Sequence, residues 1–428
     1  MLHITDPLLL AARFAVFALA AAVMILGWRK GWRPSLAVTL LVALGLRVLM
    51  MWVGHGFAPY DLNIDFHRAG VNALHHRDPI LNAPETGWNY LPTYAIFLAG
   101  NEWIHLHLGL SWLTVSRIGP ILFDLGVVAL VGLLAGRRHG AAARFQYACN
   151  PLIIMVSAIH GQMEPLCLLF GVGAFVLIRK DGPELTRKRV LLAGLLIGLA
   201  ISVKTWPALL IPALLIGLPD WRRRRELLTA MFGVLIALFV TMPLTVGTPI
   251  GQLPKVMGVM LGYHPVVGTF GWSSLVMWLH PVKTEKLLHD PFSATIGSIG
   301  SLLTLAAIAA AIWWWRRAHS VDIAMVSASA FQIVTASHGV QYLSWAMPFA
   351  TARPTRWSGV MQVAISLYAA FGYLVMTLLT NWRQVAPWYY MASLLVIPAI
   401  VLALPWRRRQ AETMEMPRDE PVLVDAAR

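Results

Sequence analysis

Residues 36–53 read LAVTLLVALGLRVLMMWV, an apolar run in which Arg47 is the single charged side chain. An α-helix needs about 20 predominantly apolar residues to cross the hydrocarbon core of a bilayer. Similar runs recur along the chain, and of its 428 residues 58% are hydrophobic and 13% are charged. An average soluble domain has about 25% charged residues. The sequence therefore predicts a membrane protein made of many helices.

The net charge of +14 comes mainly from short basic clusters that lie between the apolar runs. The seven clusters are Arg29, Lys30 and Arg33; Arg137, Arg138 and Arg144; Arg179, Lys180 and 187–189; 222–225; Arg316 and Arg317; Arg353 and Arg356; and 407–409. Cytoplasmic loops of membrane proteins are enriched in Lys and Arg, so these clusters indicate the cytoplasmic side. Nucleic acid is not a predicted partner, because topology explains the charge.

We predict an all-α, polytopic membrane helical bundle of 12–13 transmembrane helices, with outward-facing loops and interfacial helices, as one domain over residues 1–406. The expected spans are 8–27, 36–53, 112–135, 145–158, 163–179, 190–203, 205–218, 227–246, 293–315, 321–336, 339–352, 358–379 and 387–405. The polar run 91–108 is interpreted as a helix on the outer leaflet. Residues 407–428 are expected to form a disordered cytoplasmic tail. Cys149 and Cys167 are expected to be buried free thiols at different depths.

The other ionisable residues collect on the outer side of this topology. The first outer loop, residues 54–110, contains six histidines as well as Asp61 and Asp65. A second large outer loop covers residues 247–292 and contains Tyr263 and His264. The candidate residues on smaller outer turns are His160, Gln162 and Glu164, followed by His338 and Gln341. This distribution predicts that the function faces away from the cytoplasm.

Asp61 and Asp65 are four residues apart, which would place them on one face of a helix after Pro59. Two neighbouring carboxylates raise the pKa of one of them or bind a cation. The pair therefore suits a general base, with Asp65 preferred and Asp61 second, or a metal site together with His67. A solvated loop or a helix cap is the alternative interpretation.

Three cations, Arg47, Arg117 and Lys204, lie in the outer halves or at the outer ends of their spans. A cation at the bilayer centre costs about 2.5–3.5 kcal/mol, and less near the interface, so it usually has a partner or a function. Snorkelling to the headgroups would explain any one of them. Together they indicate an anion at the outer surface. A lipid-linked phosphate fits this pattern, with the cations on the phosphate and a carboxylate deprotonating an attacking hydroxyl. Asp124, midway along a span, is expected to be hydrogen-bonded inside the bundle or to face the cavity, with a structural role favoured.

Several motifs, in order along most of the chain, resemble those of one enzyme superfamily. They are Asn63-Ile64-Asp65-Phe66, Trp88-Asn89-Tyr90-Leu91-Pro92, RIGPILFD ending at Asp124, NPLIIMVSAIHGQMEP from Asn150 to Pro165, SVKTWPALLIP around Lys204, and QYLSWAMP from Gln341 to Pro348. The chain resembles the GT-C superfamily of polytopic glycosyltransferases. Within it, the chain is similar to glycosylphosphatidylinositol mannosyltransferase I and to bacterial polyprenyl-phosphate-mannose-dependent mannosyltransferases.

The resemblance implies an inverting transferase that moves a hexose, with mannose favoured, from a polyprenyl phosphate donor to a lipid or glycolipid acceptor. Asp65 matches the family's acidic motif, Lys204, Arg117 and Arg47 are the proposed phosphate contacts, and His160, Gln162, Glu164, His338, Gln341 and Tyr90 are the proposed substrate contacts. The family's first Asp is Asn63 here, so we expect no metal cofactor. The outer side has no Asn-x-Ser/Thr sequon, which favours a bacterial plasma membrane over an endoplasmic reticulum.

Two other classes of protein share part of this pattern. A secondary transporter would also be polytopic with buried charges, but transporters bind substrate near the midplane between repeated halves. No such repeat is visible here. A non-catalytic lipid-binding subunit would keep the bundle without needing Asp65. The sequence alone leaves both alternatives open, as it does the acceptor, the linkage and the oligomeric state.

Overall fold

The computed structural model describes residues 4–83, 88–179, 184–262, 266–280 and 290–408, and these residues are almost entirely helical. The α-helices are α1 (Pro7–Arg29), α2 (Leu36–Val53), α3 (His67–Leu74), α4 (Pro92–Leu108), α5 (Trp112–Leu134), α6 (Gly136–Ala148), α7 (Pro151–Met155), α8 (Glu164–Ile178), α9 (Arg187–Val203), α10 (Ile211–Gly217), α11 (Trp221–Val240), α12 (Met242–Thr245), α13 (Leu253–Leu261), α14 (Gly271–Leu279), α15 (Pro291–Trp315), α16 (Ser320–Val334), α17 (Met347–Ala352), α18 (Ser358–Ala370), α19 (Trp382–Ala392) and α20 (Val396–Ala403). Within these ranges the extended pairing is limited to an isolated bridge between Ile4 and Leu379. The predicted all-α class is confirmed.

Short 3₁₀ and π-helical turns lie between or next to these α-helices. In the described part of the chain the 3₁₀ turns are Trp206–Leu210, Ile250–Gln252, Val340–Ser344, Met376–Leu378 and Ser393–Leu395. Three turns in the same part are π-helical, Asp61–Phe66, Val156–His160 and Phe371–Val375. π-helical turns are rare and are found frequently at functional sites. The three π-helical turns therefore direct attention to the residues that they carry.

Six helical segments in the described ranges are long and apolar enough to cross a membrane. They are Pro7–Arg29, Leu36–Val53, Trp112–Leu134, Pro291–Trp315, Ser358–Leu378 and Trp382–Ala403. Several other expected spans consist of shorter helices. The expected span 145–158, for example, is divided between α6 and α7, because Asn150 caps Leu152 and Ile153 and Pro151 begins a new helix. The chain is thus a multi-pass membrane protein with several interrupted helices.

The basic cluster around Arg179 and Arg187 lies at the opposite end of the bundle from Glu164 and Lys204. Helix α8 runs from Glu164 towards Arg179, and α9 runs back from Arg187 to Val203, next to Lys204. The Lys204 Nζ and Glu164 Oε1 atoms are 2.6 Å apart, so the two helices are antiparallel with their basic ends together. At the same basic end, Arg353 donates two hydrogen bonds to Asp322, at 3.1 and 3.0 Å.

Buried polar contacts hold the helices of this bundle together. Arg47 in α2 donates to Asp124 in α5 at 2.6 Å, and both side chains are fully buried. The Tyr147 hydroxyl donates to the other Asp124 oxygen at 3.0 Å. The expectation that Asp124 is hydrogen-bonded inside the bundle is confirmed. Cys149 and Cys167 are buried free thiols, as predicted.

The first outer loop is folded rather than extended. Residues 61–74 form a π turn followed by α3, which packs closely against α4. A Cβ at Gly70 would lie 2.8 Å from the Leu98 carbonyl oxygen, so this approach requires glycine. The helix expected within 91–108 is present as α4. Tyr263, His264 and residues 409–428 of the expected tail lie outside the described residues.

Candidate active site

The three π-helical turns bring together one polar side chain each. His160, at the end of the second turn, places Nε2 at 2.8 Å from Asp61 Oδ1 and 3.1 Å from Oδ2. Its Nδ1 is hydrogen-bonded to the Tyr373 hydroxyl at 2.8 Å, and Tyr373 lies in the third turn. Asp61, His160 and Tyr373 therefore form a continuous hydrogen-bonded chain across three separate segments.

Asp61 is held by several donors yet remains reachable. Its oxygens accept hydrogen bonds from the Gln162 amide and from the Leu62 backbone N–H, the latter at 2.9 Å. Its side chain is 32% exposed. A carboxylate offers about four lone-pair sites, so three donors leave one for a substrate. Burial acts to raise the pKa of Asp61, but the charge and hydrogen bond of His160, with Leu62 and Gln162, outweigh burial and lower it.

Asp65 lies one turn further on in a different environment. Its Oδ1 is buried and accepts no hydrogen bond from the described residues. Burial, with a contribution from the neighbouring Asp61 charge, raises the pKa of Asp65 to about 6, although Arg68 opposes the shift. The two carboxylates therefore have opposite pKa shifts, as expected where environments assign different roles to two acids.

The turn that carries His160 contains a left-handed glycine and is held by hydrogen bonds from an arginine. Gly161 has φ +70, and a Cβ there would lie 3.0 Å from Leu62 and 3.1 Å from Arg117. Arg117 donates through Nε to the Ile159 carbonyl at 2.9 Å and through Nη2 to the Phe57 carbonyl. These bonds join the turn to the first outer loop. Arg117 therefore positions the backbone on both sides of the Asp61–His160 contact.

The same turn continues into a buried ion pair. Gln162 reaches Asp61, and two residues later Glu164 pairs with Lys204. The second Glu164 oxygen, Oε2, is buried without a hydrogen-bond partner in the described residues. Lys204 Nζ also lies 4.7 Å from the centre of the Tyr342 ring. Tyr90 is a further neighbour that interacts electrostatically with the Lys204 charge. A cation surrounded by hydroxyls and rings thus lies beside the Asp61 network.

His338 and Gln341 flank the same tyrosine. The His338 ring stacks on Phe270 with centroids 4.1 Å apart and meets Tyr342 edge-on at 5.3 Å. Both His338 ring nitrogens are buried without a hydrogen-bond partner among the described residues. Burial lowers the pKa of His338 to about 3, so the ring is neutral at pH 7. Gln341 is half-buried, one residue before Tyr342.

Five of the predicted residues lie in two neighbouring groups. Asp61, His160 and Gln162 form a hydrogen-bonded network, and beside it Glu164 and Lys204 form an ion pair whose ammonium lies near the Tyr342 ring. Arg47 lies elsewhere, in the closed ion pair with Asp124, and also donates to the Ala43 and Ala148 carbonyls at 2.9 Å. Its placement, like that of Arg117, favours a structural role over the predicted phosphate contact.

The structure does not bring His67 together with Asp61 and Asp65 as the predicted metal site requires. His67 lies 3.0 Å from Glu102 instead and stacks on Trp112. Tyr373 was missed by sequence reasoning, because a single tyrosine within an apolar run carries no signal of a partner 213 residues away.

Fold and site together define a polytopic helical membrane protein with a polar centre at one end of its bundle. Residues 88–337 match the model of glycosyltransferase family 87. This range is more than half of the 428 residues, and the chain belongs to glycosyltransferase family 87. It is thus a membrane glycosyltransferase, and the transporter and non-catalytic alternatives are set aside. His160, Lys204 and Glu164 lie within the matched range, whereas Asp61 precedes it. No curated protein matches the chain.

Proposed function

We propose that this glycosyltransferase moves a hexose, with mannose the first candidate, from a polyprenyl phosphate to a lipid or glycolipid acceptor, with Asp61 as the general base. The observation that carries the proposal is the Asp61–His160–Tyr373 chain beside the Lys204–Glu164 pair. A base needs to be ionised, oriented and reachable. Asp61 meets all three conditions, because its pKa is lowered, three donors orient it, and a third of its side chain is exposed. The proposal therefore differs from the sequence-based expectation, which preferred Asp65 over Asp61 as the general base.

The proposed reaction is a single displacement at the anomeric carbon. The acceptor hydroxyl oxygen attacks that carbon as its bond to the phosphate oxygen breaks, and the electron pair leaves on the lipid phosphate. Asp61 takes the hydroxyl proton, and His160 and Gln162 keep its free oxygen lone pair aimed at the acceptor. A cation near the departing phosphate stabilises the charge that develops there. Lys204 fits this role, because its ammonium, paired with Glu164, lies next to the Asp61 network.

A lipid phosphate donor is supported by where the cation lies. Lys204 is at the end of α9, at the opposite end of the bundle from the basic clusters. The positive-inside rule assigns those clusters to the cytoplasm and hence the site to the other side. Nucleotide sugars are cytoplasmic substrates, whereas a sugar on a lipid phosphate is presented at the membrane surface. The proposed location is the bacterial plasma membrane, with the site extracytoplasmic.

The donor class is tested with purified protein in nanodiscs, offered radiolabelled polyprenyl-phosphate mannose, polyprenyl-phosphate glucose or a nucleotide-linked mannose, each with a membrane lipid extract as acceptor. We expect label to move to a new lipid only from a polyprenyl phosphate donor. Transfer from the nucleotide sugar alone would contradict the proposal. A heat-inactivated sample serves as the control for label that partitions without reaction.

Neutralising the Lys204–Glu164 pair is expected to weaken donor binding. Lys204→Met combined with Glu164→Gln removes both charges without leaving one buried and unpaired. The loss of one charge-assisted contact, worth about 1.5–3 kcal/mol, should raise the donor Kd by about 10- to 150-fold. Glu164→Gln alone keeps the ammonium but leaves it without its buried counter-charge, so its folding is checked by circular dichroism. The folded fraction of this variant should bind donor at least as tightly as wild type. Unchanged donor Kd in the double variant would limit Lys204 to a structural role.

The pH dependence of kcat/KM separates the two carboxylates. The base works when ionised, and a lowered pKa keeps Asp61 ionised to lower pH. We therefore expect kcat/KM to stay level from pH 7 to about 5 and to fall only near or below about 3.9, the ordinary value for Asp. The titratable groups that interact electrostatically with Asp61 include His160, Asp65 and three tyrosines, Tyr94, Tyr342 and Tyr373. A half-maximal rate near the pKa of about 6 that Asp65 has would instead assign the base to Asp65.

A further inference from the structure

A second cluster of ionisable side chains lies in the first outer loop, outside the Asp61 network. His67 begins α3, and Glu102 and His105 lie three residues apart on α4. Residues at this spacing share one helix face. One ligand atom from each of the three lies within 4.8 Å of the other two. Two imidazoles and a carboxylate are the donor set of open, catalytic-type zinc sites.

Glu102 is the buried member of this set. It is 5% exposed, and its Oε2 accepts no hydrogen bond from the described residues. The His67 ring lies beside this oxygen, with its Nε2 3.0 Å from Glu102 Oε2. A buried carboxylate oxygen without a hydrogen bond is costly unless something else satisfies it. A cation between Glu102 and the two histidines would supply that partner.

Both histidines are oriented as ligands. His105 is hydrogen-bonded through Nδ1 to the Leu110 carbonyl at 2.6 Å, which assigns the proton to Nδ1 and leaves Nε2 free. Metal-bound histidines typically donate their other ring N–H in this way. The His67 ring is held by stacking on Trp112, with centroids 4.5 Å apart. Trp112 in turn donates Nε1 to the Leu62 carbonyl at 2.9 Å, next to Asp61.

We propose that His67, Glu102 and His105 bind a divalent transition metal ion of the zinc class, with a fourth position open to water. Tetrahedral zinc with bonds of about 2.0–2.2 Å places ligand atoms about 3.3 Å apart. The 3.0 Å separation of the His67 and Glu102 ligand atoms is close to this value. The ligand atoms of all three residues lie within 4.8 Å of one another, and rotation of the half-exposed histidine side chains would bring them to the distance that zinc requires. The ion joins α3 to α4 and so fixes the turn that carries Asp61. This proposal does not depend on the identity of the donor.

The test uses the full chain purified without a polyhistidine tag, stripped with chelator and titrated with Zn²⁺ alone in nanodiscs. Calorimetry is expected to give one tight site per chain for wild type. Replacing His105 by Ala or Glu102 by Gln should weaken Zn²⁺ binding at least 100-fold. His107→Ala is the matched control, because His107 lies on the same helix turn but outside the cluster of His67, Glu102 and His105.

A second readout distinguishes a built site from loose binding to surface histidines. Zn²⁺ should slow amide hydrogen exchange of residues 61–74 in wild type and in His107→Ala, but not in His105→Ala. Co²⁺ should give the absorption of a tetrahedral site in the same two proteins. Equal Zn²⁺ affinity in His105→Ala and His107→Ala, or unchanged exchange in wild type, would overturn the proposal. Should His105→Ala fail to fold, Glu102→Gln is the variant that decides.

Discussion

Asp61→Asn is expected to lower kcat by about 10²- to 10⁴-fold, the usual contribution of a positioned general base. The amide keeps the size of the carboxylate and can still accept a hydrogen bond from Leu62. It cannot accept the hydroxyl proton, so the chemical step is lost while the site remains assembled. Donor Kd should change little, because Lys204 and Tyr342 are untouched. The measurement is steady-state transfer together with donor binding by a labelled-lipid assay.

Asp65→Asn is the matched control for this variant. It makes the same chemical change four residues away, at a carboxyl whose buried Oδ1 has no hydrogen-bond partner among the described residues, whereas His160 and Gln162 are hydrogen-bonded to Asp61. We expect kcat within about tenfold of wild type, because Asp65 acts on Asp61 only through its charge. The reverse order, with Asp65→Asn inactive and Asp61→Asn active, would return the base to Asp65. Loss of donor binding in Asp61→Asn would indicate a binding role instead.

Asp124→Ala should destabilise the bundle by about 3–5 kcal/mol, the usual cost of removing one partner of a buried ion pair. The large effect is expected because Arg47 and Asp124 are both fully buried, and the variant leaves the guanidinium without its counter-charge. Arg47→Met combined with Asp124→Leu removes both charges and should come close to wild-type stability. The measurement is reversible unfolding by denaturing detergent, followed by the helical circular dichroism signal.

Asp322→Ala provides the comparison at the other end of the bundle. Asp322 pairs with Arg353, whose side chain is 24% exposed and can turn to water when its partner is removed. We therefore expect a smaller loss of stability than for Asp124→Ala. If Asp124→Ala lost less than about 1 kcal/mol, Arg47 would not depend on Asp124. The phosphate-binding interpretation of Arg47 would then regain support.

The fold was largely readable from sequence because its signals are local. Apolar runs such as 36–53 gave helix bounds close to those of α2, and the basic clusters identified one end of the bundle. The interruptions were harder to place. Pro151 begins a new helix, whereas Pro120 lies inside α5. Which of the two a proline does depends on the helix caps and on tertiary packing.

The site was only partly readable, because its contacts are long-range. His160, Gln162 and Glu164 could be grouped from their spacing on one turn. The sequence could not show which carboxylate contacts that turn, since Asp61 is 99 residues from His160 in sequence. In the structure Asp61, and not Asp65, is hydrogen-bonded to His160. The sequence also could not identify Asp124 as the partner of Arg47, because the two residues are 77 positions apart.

The stereochemistry of transfer tests the single-displacement claim most directly. Wild-type protein in nanodiscs would be given polyprenyl-phosphate mannose labelled with ¹³C at the anomeric carbon, and the product would be examined by NMR. Direct attack by an acceptor hydroxyl activated by Asp61 predicts that the product has the anomeric configuration opposite to that of the donor. Retention of the donor configuration would require a carboxylate nucleophile and a second step, and it would contradict the role assigned to Asp61.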